Sequence, residues 1–290
     1  MAMLAHNPTV QLRELNSVAD LERVLSLEKE VWGFTDPDVT PLALAVAMQN
    51  SGSIWLGAFD GNELIGFAFA FPRVHASSRP LEVGFHSHTL AVREAYRDSG
   101  IGYQLKLAQR QKALALGIAE MTWTFDPLRS RNAHLNFCKL GVVSNSYRVD
   151  FYGPATSSPL HSNSTDRLWV TWHMSDAGVE ERLRGKAVRA ELIDTLAHVP
   201  PLVRFNGDGV PVLEDLSQAL ARRRIAIEIP GDIEHIERED RELARRWRRA
   251  TRHAFTQALE HGFVVTEFCR SIRGQQGPGA YLLERAEAEA

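Results

Sequence analysis

The sequence predicts a mixed α/β protein in which a central mixed sheet is flanked by helices. Apolar and polar residues alternate in short segments such as "VQLREL" at 10–15, which is typical of half-buried strands. Longer segments repeat their apolar residues at helical spacing, and glycines or Asp-Gly pairs separate the two kinds of segment. Over residues 10–175 the predicted order is a strand, two helices, a hairpin, a strand, a helix, a strand, a helix and two strands.

Three local signals define the first part of this order. Ser17 followed by Asp20 is similar to a capping box and predicts a helix from about 17 to 32. The segment "DVTPLALAVAMQNSG" predicts a second helix that stops at Gly52. Two apolar runs joined by Asp60-Gly61, in "SIWLGAFDGNELIGFAFAFPR", predict a β-hairpin.

The central part alternates strands and helices. "EVGFHSHTLAV" predicts a strand, and "GIGYQLKLAQRQKALALG" predicts a helix that ends near Gly117. "EMTWTFDP" predicts the next strand, because Met121, Trp123 and Phe125 alternate with polar residues. "SRNAHLNFCKLG" predicts a short helix followed by Gly141, and "VVSNSYRVDFYG" and "RLWVTWHM" predict two further strands.

A C-terminal α/β extension, residues 176–290, is expected after a domain of residues 10–175. Its predicted elements are a helix in "AGVEERLRGKAVRAELIDTLAHV", a hairpin around Gly207-Asp208-Gly209, a strand in "RIAIEIPG", a long helix in "REDRELARRWRRATRHAFTQALEHG" and strands in "FVVTEFCRS" and "AYLLER". Three roles stay open for it: dimerisation, a lid, or completion of the sheet. The basic run Arg245 to Arg249 is interpreted as a solvated helix face.

Composition limits the classes of function. The 290 residues are 44% hydrophobic and 24% charged, which is typical of a globular protein, and a net charge of −3 gives no basic field for nucleic acid or an acidic membrane. The two cysteines, Cys138 and Cys269, make no disulfide framework and fit a reducing compartment. "MAMLAHNPTVQ" lacks the features of a signal peptide and the apolar runs are too short to span a bilayer, so we expect a cytoplasmic protein.

A glycine turn stands between the predicted strand 82–92 and the helix after it. In Arg97-Asp98-Ser99-Gly100-Ile101-Gly102 the glycines let the backbone adopt positive φ and approach a ligand. The helix that follows offers unpaired N–H groups and the positive end of its dipole, which suit a phosphate or pyrophosphate. An ordinary strand-to-helix turn is the alternative. The turn is not the dinucleotide-binding fingerprint, because Leu105 stands where the third glycine would be. It is not a P-loop either, because no Gly-Lys-Ser/Thr follows.

The segment "LAVREAYRDSGIGYQL" resembles the central acyl-CoA motif of the GCN5-related N-acetyltransferase (GNAT) family. The family signature is an apolar strand ending in Leu-x-Val, a short loop, and Arg/Gln-x-x-Gly-x-Gly/Ala opening a helix. Leu90, Val92, Arg97, Gly100 and Gly102 occupy these positions. The element order over 10–175 and the helix in "NAHLNFCKLG" are also similar to the family, so the resemblance implies a GNAT acyl-CoA N-acyltransferase fold.

The resemblance also implies that acetyl-CoA, or another acyl-CoA such as succinyl-CoA, is the co-substrate. Backbone amides from Asp98 to Tyr103 would bind the CoA pyrophosphate, and the strand at 90–92 would pair with the pantetheine arm beside a strand at 120–126 that splays away. The implied cofactor-binding residues are Leu90, Ala91, Val92, Arg97, Asp98, Ser99, Gly100, Ile101, Gly102, Tyr103 and Asn132. Asn132 stands two positions after the family's usual asparagine, where this chain has Ser130.

His86 and His88 are the candidate catalytic residues. Acyl transfer to an amine needs a proton acceptor, because an alkylammonium with a pKa of about 10 is protonated near pH 7 and cannot attack. Histidine, with an unperturbed pKa of about 6.5, accepts such a proton directly or through water. Two residues apart on a strand, the two side chains share a face unless a bulge intervenes.

The stretch "HSHTLAV" is similar to the arylalkylamine N-acetyltransferase branch, where two histidines so placed relay protons. His88 ranks first because it is nearer to Leu90–Val92, and Glu82 is a weaker candidate for the base. A pair of half-buried structural histidines is the alternative interpretation. The backbone amide of Val92 or Ala91 is expected to stabilise the tetrahedral oxyanion.

One position departs from the family pattern. The family often carries a tyrosine, acting as general acid, four residues before the glycine that ends the later helix, and this chain has Phe137 there. Either Tyr103, Tyr147 or Tyr152 donates the proton instead, or the thiolate leaves unassisted and solvent protonates it.

The sequence is therefore interpreted as an acyl-CoA-dependent N-acyltransferase, with N-acetyl transfer first. Its expected acceptor is a small-molecule primary amine, such as an amino acid or an arylalkylamine, which attacks directly in a ternary complex. The alternative is a non-catalytic acyl-CoA-binding regulatory or interaction protein of the same fold. No metal is expected, because His161, His173 and His253 lack ligand spacing, and a homodimer stays open.

Overall fold

The computed structural model describes residues 10–35, 38–75, 81–153, 158, 163–185, 189–272 and 278–285. The chain forms two compact units, and the division falls between Met121 and Thr122. The first unit holds the described residues up to Met121 together with Ser158, and the second holds the remaining described residues from Thr122 onward. The domain boundary expected at residue 175 stays a prediction.

The first unit is built on an antiparallel sheet. Its strands, in spatial order, are β1 (Val10–Glu14), β2 (Ile54–Asp60), β3 (Glu63–His75) and β4 (Glu82–Val92). Its helices are α1 (Val18–Trp32), α2 (Leu42–Gln49) and α3 (Ile101–Ala115). The predicted helix start at Ser17 is confirmed, because the Asp20 amide donates to Ser17 Oγ at 3.1 Å and Ser17 is the N-cap of α1. The predicted hairpin is also confirmed.

Alternation along β3 assigns the two faces of this sheet. Phe67 and Phe69 pack in a buried cluster with Leu21 of α1 and Ala45 of α2. A Cβ at Gly66 would instead lie 3.5 Å from Cγ2 of Ile101, at the start of α3. From Gly66 onward, odd-numbered residues of β3 therefore face α1 and α2, and even-numbered residues face α3. These are called the α1/α2 face and the α3 face below. Leu64, which precedes an irregularity in the pairing with β2, belongs to the cluster on the α1/α2 face.

The second unit contains a mixed sheet. Its strands are β5 (Glu120–Phe125, from Thr122 on), β6 (Val143–Arg148), β7 (Arg167–His173), β8 (Pro201–Phe205), β9 (Pro211–Leu213), β10 (Arg224–Ile229), β11 (Phe263–Cys269) and β12 (Gly279–Arg285). Their spatial order is β5-β7-β6-β11-β12-β10-β8-β9, with β8 and β10 parallel. Val265 of β11 pairs with Ser144 of β6, so the C-terminal strands continue this sheet beyond β6.

The helices of the second unit differ in part from the prediction. They are α4 (Ser130–Ala133), which continues as a π-helix (His134–Leu140), α5 (Ala177–Leu183), α6 (Arg189–His198), α7 (Leu216–Leu220), α8 (Ile233–Glu239) and α9 (Arg241–Glu260). The sequence predicted a single helix where α5 and α6 stand, and it did not predict α7 or α8. Asp240 separates α8 from α9 because its backbone is extended and its side chain caps α9, accepting from Leu243 N at 2.9 Å.

The basic run on α9 is only partly solvated. Arg245, Arg246 and Arg249 are exposed as expected, but the expectation is wrong for Arg248, which is 4% exposed. Its guanidinium donates to both carboxylate oxygens of Asp126 at 2.8 and 2.7 Å. Burial would raise the pKa of the Asp126 carboxyl, but Arg248 outweighs that effect and holds this pKa well below its ordinary value.

Two searches of the described residues concern membranes and metals. No helix in those ranges has the length and apolar character needed to cross a membrane. No group of three or more histidine, cysteine, aspartate or glutamate side chains in the same ranges is placed to hold a metal ion. His161 lies outside the described residues.

Candidate active site

The glycine turn between β4 and α3 contains two residues with left-handed backbone. Asp98 has φ 62° and Gly100 has φ 86°. A Cβ at Gly100 would meet nothing within 4 Å, so the backbone angle, and not lack of space, favours glycine there. Gly102 is helical, and a Cβ there would lie 3.4 Å from Leu90 Cδ2, which is ordinary contact.

The two glycines are therefore expected to respond oppositely to alanine. Gly100→Ala places a side chain at positive φ and should lower the free energy of unfolding by about 1–2 kcal/mol. Gly102→Ala sits in a helix with room for the methyl group and should be neutral or stabilising by up to about 1 kcal/mol. Urea unfolding of both variants measures this. Equal losses in both would contradict the assigned backbone conformation.

The turn presents its backbone to solvent. Residues 97–100 are exposed, and no side chain bonds back to cap α3 at Gly100. The Ser99 hydroxyl donates to the Tyr96 carbonyl at 2.5 Å, and the Tyr96 hydroxyl donates to Asp60 of β2 at 2.9 Å. These bonds fix the loop. The amides of the first turn of α3 and its dipole together suit an anion such as a phosphate.

A β-bulge on β4 places the two histidines. Phe69 pairs with Thr89 while the next residue, Ala70, pairs with Ser87, so His88 is the extra residue in the ladder. His86 pairs with Phe71 and therefore lies on the α1/α2 face. The His88 ring lies 6.2 Å from the Phe69 ring and 5.9 Å from the Phe71 ring, between centroids, so it occupies the same face.

The bulge thus keeps both imidazoles together, with centroids 6.4 Å apart. The sequence predicted a shared face only without a bulge, and the structure has the bulge and the shared face. The extra residue shifts the alternation of side chains along β4. Of His86, Ser87 and His88, only Ser87 points to the α3 face. Trp32 continues the aromatic wall of the α1/α2 face, since its ring lies 5.7 Å from Phe34 and 6.2 Å from Phe67.

The environments of the two imidazoles differ. Burial lowers the pKa of His86, which is 7% exposed, to about 4, and the nearby charges of His88, Lys106 and Arg73 act in the same direction. The His88 ring is exposed, yet surrounding protein atoms still displace part of its water and lower its pKa. Both rings are therefore neutral near pH 7 and able to accept a proton, and His88 is the one open to solvent.

His86 makes stability depend on pH. In the unfolded chain this imidazole takes up a proton near pH 6.5, whereas in the folded protein it stays neutral down to about pH 4. The free energy of unfolding should therefore fall as pH drops through this window, by about 3 kcal/mol from this group. His86→Phe should lack that part of the fall, measured by urea unfolding at pH 7 and pH 4. The same fall in both proteins would refute the assignment.

The backbone of β4 distinguishes the two amides expected to serve the oxyanion. The Arg93 amide donates to Ile65 of β3 at 2.8 Å. N–H groups alternate in direction along a strand, so the Ala91 amide also points to β3, and the Val92 amide points to the opposite edge. The Val92 carbonyl shares that edge and accepts from Arg97 Nε at 3.4 Å. Of the two amides, that of Val92 is therefore the one directed away from β3.

The remaining predicted residues lie in the second unit or are exposed. Asn132 is exposed on α4, whereas the buried Ser130 hydroxyl has no hydrogen-bond partner among the described residues. Phe137 is fully buried against Phe125 and Tyr281, with ring centroids 6.3 and 5.7 Å away. Glu82 is exposed at the start of β4.

The candidate tyrosines are not equivalent. The Tyr147 hydroxyl donates to Asp166 at 2.7 Å, and burial raises the pKa of Tyr147 well above its ordinary value. Its proton is therefore held by a carboxylate. Tyr103 is half-buried in the first turn of α3, and Tyr152 is exposed after β6.

Two polar clusters beside the histidines were not predicted. On the α3 face, Lys106 Nζ donates to Ser87 Oγ at 2.7 Å, and Ser87 Oγ donates to Gln109 Oε1 at 2.9 Å. The sequence held one signal for this cluster, because Gln109 occupies the apolar helical series of Ile101, Leu105 and Ala113.

The second cluster surrounds Gly84. Arg73 stands opposite Gly84 on β3, and both Arg73 Nη1 and His75 Nε2 lie 2.8 Å from Oε1 of Glu120. A Cβ at Gly84 would lie 3.3 Å from the Glu120 carbonyl, so the glycine leaves the space through which these side chains reach Glu120. This contact between distant strands has no signal in the sequence.

Comparisons with known proteins bear on the segment that contains the bulge and the glycine turn. A family model described as the acetyltransferase (GNAT) family matches residues 19–141. A search of curated proteins found no match.

Solved structures similar to this chain are acetyltransferases. The ribosomal-protein-S18-alanine N-acetyltransferase from Escherichia coli is 16% identical over 59% of this chain and 97% of its own, with a TM-score of 0.45. Arabidopsis thaliana NAA60 in complex with acetyl-CoA is 16% identical over 58% and 100%, with a TM-score of 0.48. Aminoglycoside 6'-acetyltransferase type Ii is 17% identical over 57% and 98%, with a TM-score of 0.43.

The matched segment runs from α1 to the glycine after the π-helix, and it includes the histidine bulge, the glycine turn and α3. The mixed α/β fold class predicted from the sequence is confirmed. Residues 19–141 of this chain are therefore a domain of the acetyltransferase (GNAT) family.

Proposed function

We propose that this protein is an acyl-CoA-dependent N-acyltransferase, acetyl-CoA being the first donor to test, that acylates a small-molecule primary amine by direct attack in a ternary complex. The observation that carries the proposal is the pair of neutral imidazoles at the bulge of β4, on the strand that leads directly into the glycine turn. A proton acceptor and an anion site then belong to one continuous segment, 86–103.

The residues present fit an acyl-CoA, which would supply an activated acyl group on a thiolate leaving group. Backbone amides from Asp98 to Tyr103 would hold its pyrophosphate, since the turn is exposed and α3 has no side-chain cap. The edge of β4 at Val92 has its amide directed away from β3 and would bond the pantetheine or the thioester oxygen. The buried Ser130 hydroxyl, which has no hydrogen-bond partner among the described residues, occupies the family's usual asparagine position, two residues before Asn132.

His88 is the proposed general base. Its ring is exposed on the α1/α2 face and its lowered pKa keeps it unprotonated near pH 7, so it can take a proton from an ammonium group directly or through water. His86 lies behind it, buried, and would pass that proton on or orient the intervening water. The Val92 amide would stabilise the oxyanion that forms when the amine attacks.

The walls of the α1/α2 face favour an aromatic or apolar acceptor. Phe69 and Phe71 flank the imidazoles, and Trp32 with Phe34 extends the same aromatic surface. Such rings bind apolar and aromatic groups through burial and edge-to-face contact. An arylalkylamine or an amino acid with an apolar side chain is therefore the proposed acceptor class.

The leaving thiolate has no tyrosine at the family position, because Phe137 carries no proton to donate. Tyr147 is engaged with Asp166, so the proposed donors are Tyr103 and Tyr152. Without either of them the thiolate would be protonated by solvent. Replacing each tyrosine by phenylalanine distinguishes these routes, since only loss of the true donor lowers kcat.

The test is a screen for amine-dependent thiol release. Acetyl-CoA and succinyl-CoA are each incubated with a panel of amino acids and arylalkylamines, and the acylated amine is identified by its mass. The proposal expects thiol release and product in equal amounts with at least one amine. Thiol release without an acylated amine would indicate a hydrolase, and acyl-CoA binding without any release would favour the non-catalytic alternative.

A further inference from the structure

A buried polar chain lies behind the histidine pair, on the α3 face. It consists of Lys106 and Gln109 of α3 and Ser87 of β4, joined by the bonds of 2.7 and 2.9 Å described above. All three side chains are buried, and Lys106 is only 4% exposed. The Nε2 of Gln109 has no hydrogen-bond partner among the described residues.

Such a chain is unfavourable for stability alone. A buried amine loses its hydration whether it is charged or neutral, and burial makes its charged form costly. A lysine in this position is replaceable by an apolar side chain of similar length at little or no cost. The neighbouring positions Ile101, Leu105 and Ala113 of the same helix face are apolar and buried. We therefore expect the buried amine of Lys106 to have a function other than stability.

The position of Ser87 suggests that function. Ser87 is the residue between His86 and His88, and its side chain points away from both, toward α3. A bulge has no fixed place in a ladder unless something pins it, because the extra residue can shift along the strand and reverse the alternation. The hydrogen bonds from Lys106 and to Gln109 anchor the strand at the residue immediately before the bulge.

We infer that Lys106 is a positioning residue for the histidine pair, which through Ser87 pins the β4 bulge so that His86 and His88 both lie on the α1/α2 face. The inference rests on the proposed function, because the proposed catalytic role of His86 and His88 is the reason for fixing their positions. Lys106 touches neither the reacting atoms nor the acceptor face, so it acts through the strand and through its charge.

The charge of Lys106 affects a measurable quantity, the pKa of His86, that a purely structural role of Lys106 would not change. The charged groups that lower the pKa of His86 include His88 of β4, Arg73 of β3 and Lys106 of α3. Burial lowers the pKa of Lys106 to about 7, so the amine is protonated in the acidic range where His86 titrates. Removing Lys106 should therefore raise the pKa of His86.

The test uses Lys106→Met, which keeps the length of the side chain without its amine. Its kcat should fall about tenfold with KM for the acyl-CoA unchanged, since the donor site is on the turn and not on the bulge. The pKa of His86, followed by NMR, should move to a higher value, because the Lys106 charge acts on His86. Its melting temperature at pH 6 should be equal to or above that of the parent, because a buried cation has been removed.

Two further variants separate the bond from the charge. Ser87→Ala removes the anchor and keeps the amine, so kcat should fall while the pKa of His86 stays in place. Lys112→Met, on the same helix, removes an exposed amine that pairs with Glu14 and should change neither quantity.

The titration of the His86 imidazole by NMR needs no substrate and keeps the two proposals distinguishable. A higher pKa of His86 in Lys106→Met, together with a lowered kcat, supports the inference. An unchanged titration overturns it, whether or not an amine is turned over, and so does an unchanged kcat in an active parent. Absence of turnover by the parent overturns the proposed function alone.

Discussion

Replacing His88 by alanine is expected to lower kcat about a hundredfold, because the variant loses the imidazole that accepts the proton of the attacking ammonium. KM for the acyl-CoA should change little, since the glycine turn and the Val92 amide are untouched. Steady-state thiol release with the acceptor found in the screen measures both quantities. A general base with a lowered pKa also predicts that the parent keeps its activity below pH 6.5, the ordinary pKa of histidine.

The matched controls for this variant are two other histidines. His253→Ala changes an exposed histidine of α9 and should leave kcat as it is. The kcat of His86→Ala should lie between those of His88→Ala and His253→Ala, because His86 is buried and acts through His88. A His88→Ala protein with parental kcat would remove the pair from the chemistry and leave the structural interpretation of both histidines.

Replacing Arg248 by methionine is expected to lower the free energy of unfolding by about 3–5 kcal/mol. The variant leaves Asp126 as a buried carboxylate without the guanidinium that bonds both of its oxygens. The amide of Leu128 still donates to Asp126 at 3.0 Å and Arg129 Nε still lies 3.8 Å from it, but neither replaces the two short bonds from Arg248. Urea unfolding followed by tryptophan fluorescence measures the loss, since Trp247 is the adjacent residue.

Arg249→Met is the matched control on the next residue of the same helix. Arg249 pairs with Glu242 at 2.7 Å, but both side chains are more than half exposed, so its loss should cost no more than about 1 kcal/mol. The double variant Asp126→Leu with Arg248→Met should lose less than Arg248→Met alone, because no unpaired charge remains. Equal losses for Arg248→Met and Arg249→Met would contradict the buried pair.

Local patterns were sufficient for the elements around the site. The strand "EVGFHSHTLAV" coincides with β4 at both ends, and its apolar run ends at the turn that follows it. The left-handed backbone of Gly100 was also predictable from local sequence, since a glycine in the turn before a helix can adopt positive φ. The chemistry of the two histidines followed from residue type and from family resemblance.

The features that were missed depend on distant parts of the chain. The bulge at His88 is defined by pairing with β3, and the sequence of β4 alone does not contain that register. Arg248 looks like one more member of a basic run until Asp126, 122 positions away, is placed beside it. Lys106 likewise has the pattern of a surface lysine, and only the approach of Ser87 shows that its amine is buried.

The most direct test of the central claim compares the parent with a variant in which His86 and His88 are both glutamine. Each protein is incubated with acetyl-CoA and the amine panel, and acylated amines are detected by mass, while the rise in melting temperature with CoA reports binding. The account predicts that both proteins bind CoA and that only the parent forms an acylated amine at an appreciable rate. Transfer by the variant at the parental rate, or a parent that binds acyl-CoA and acylates no amine, would contradict it.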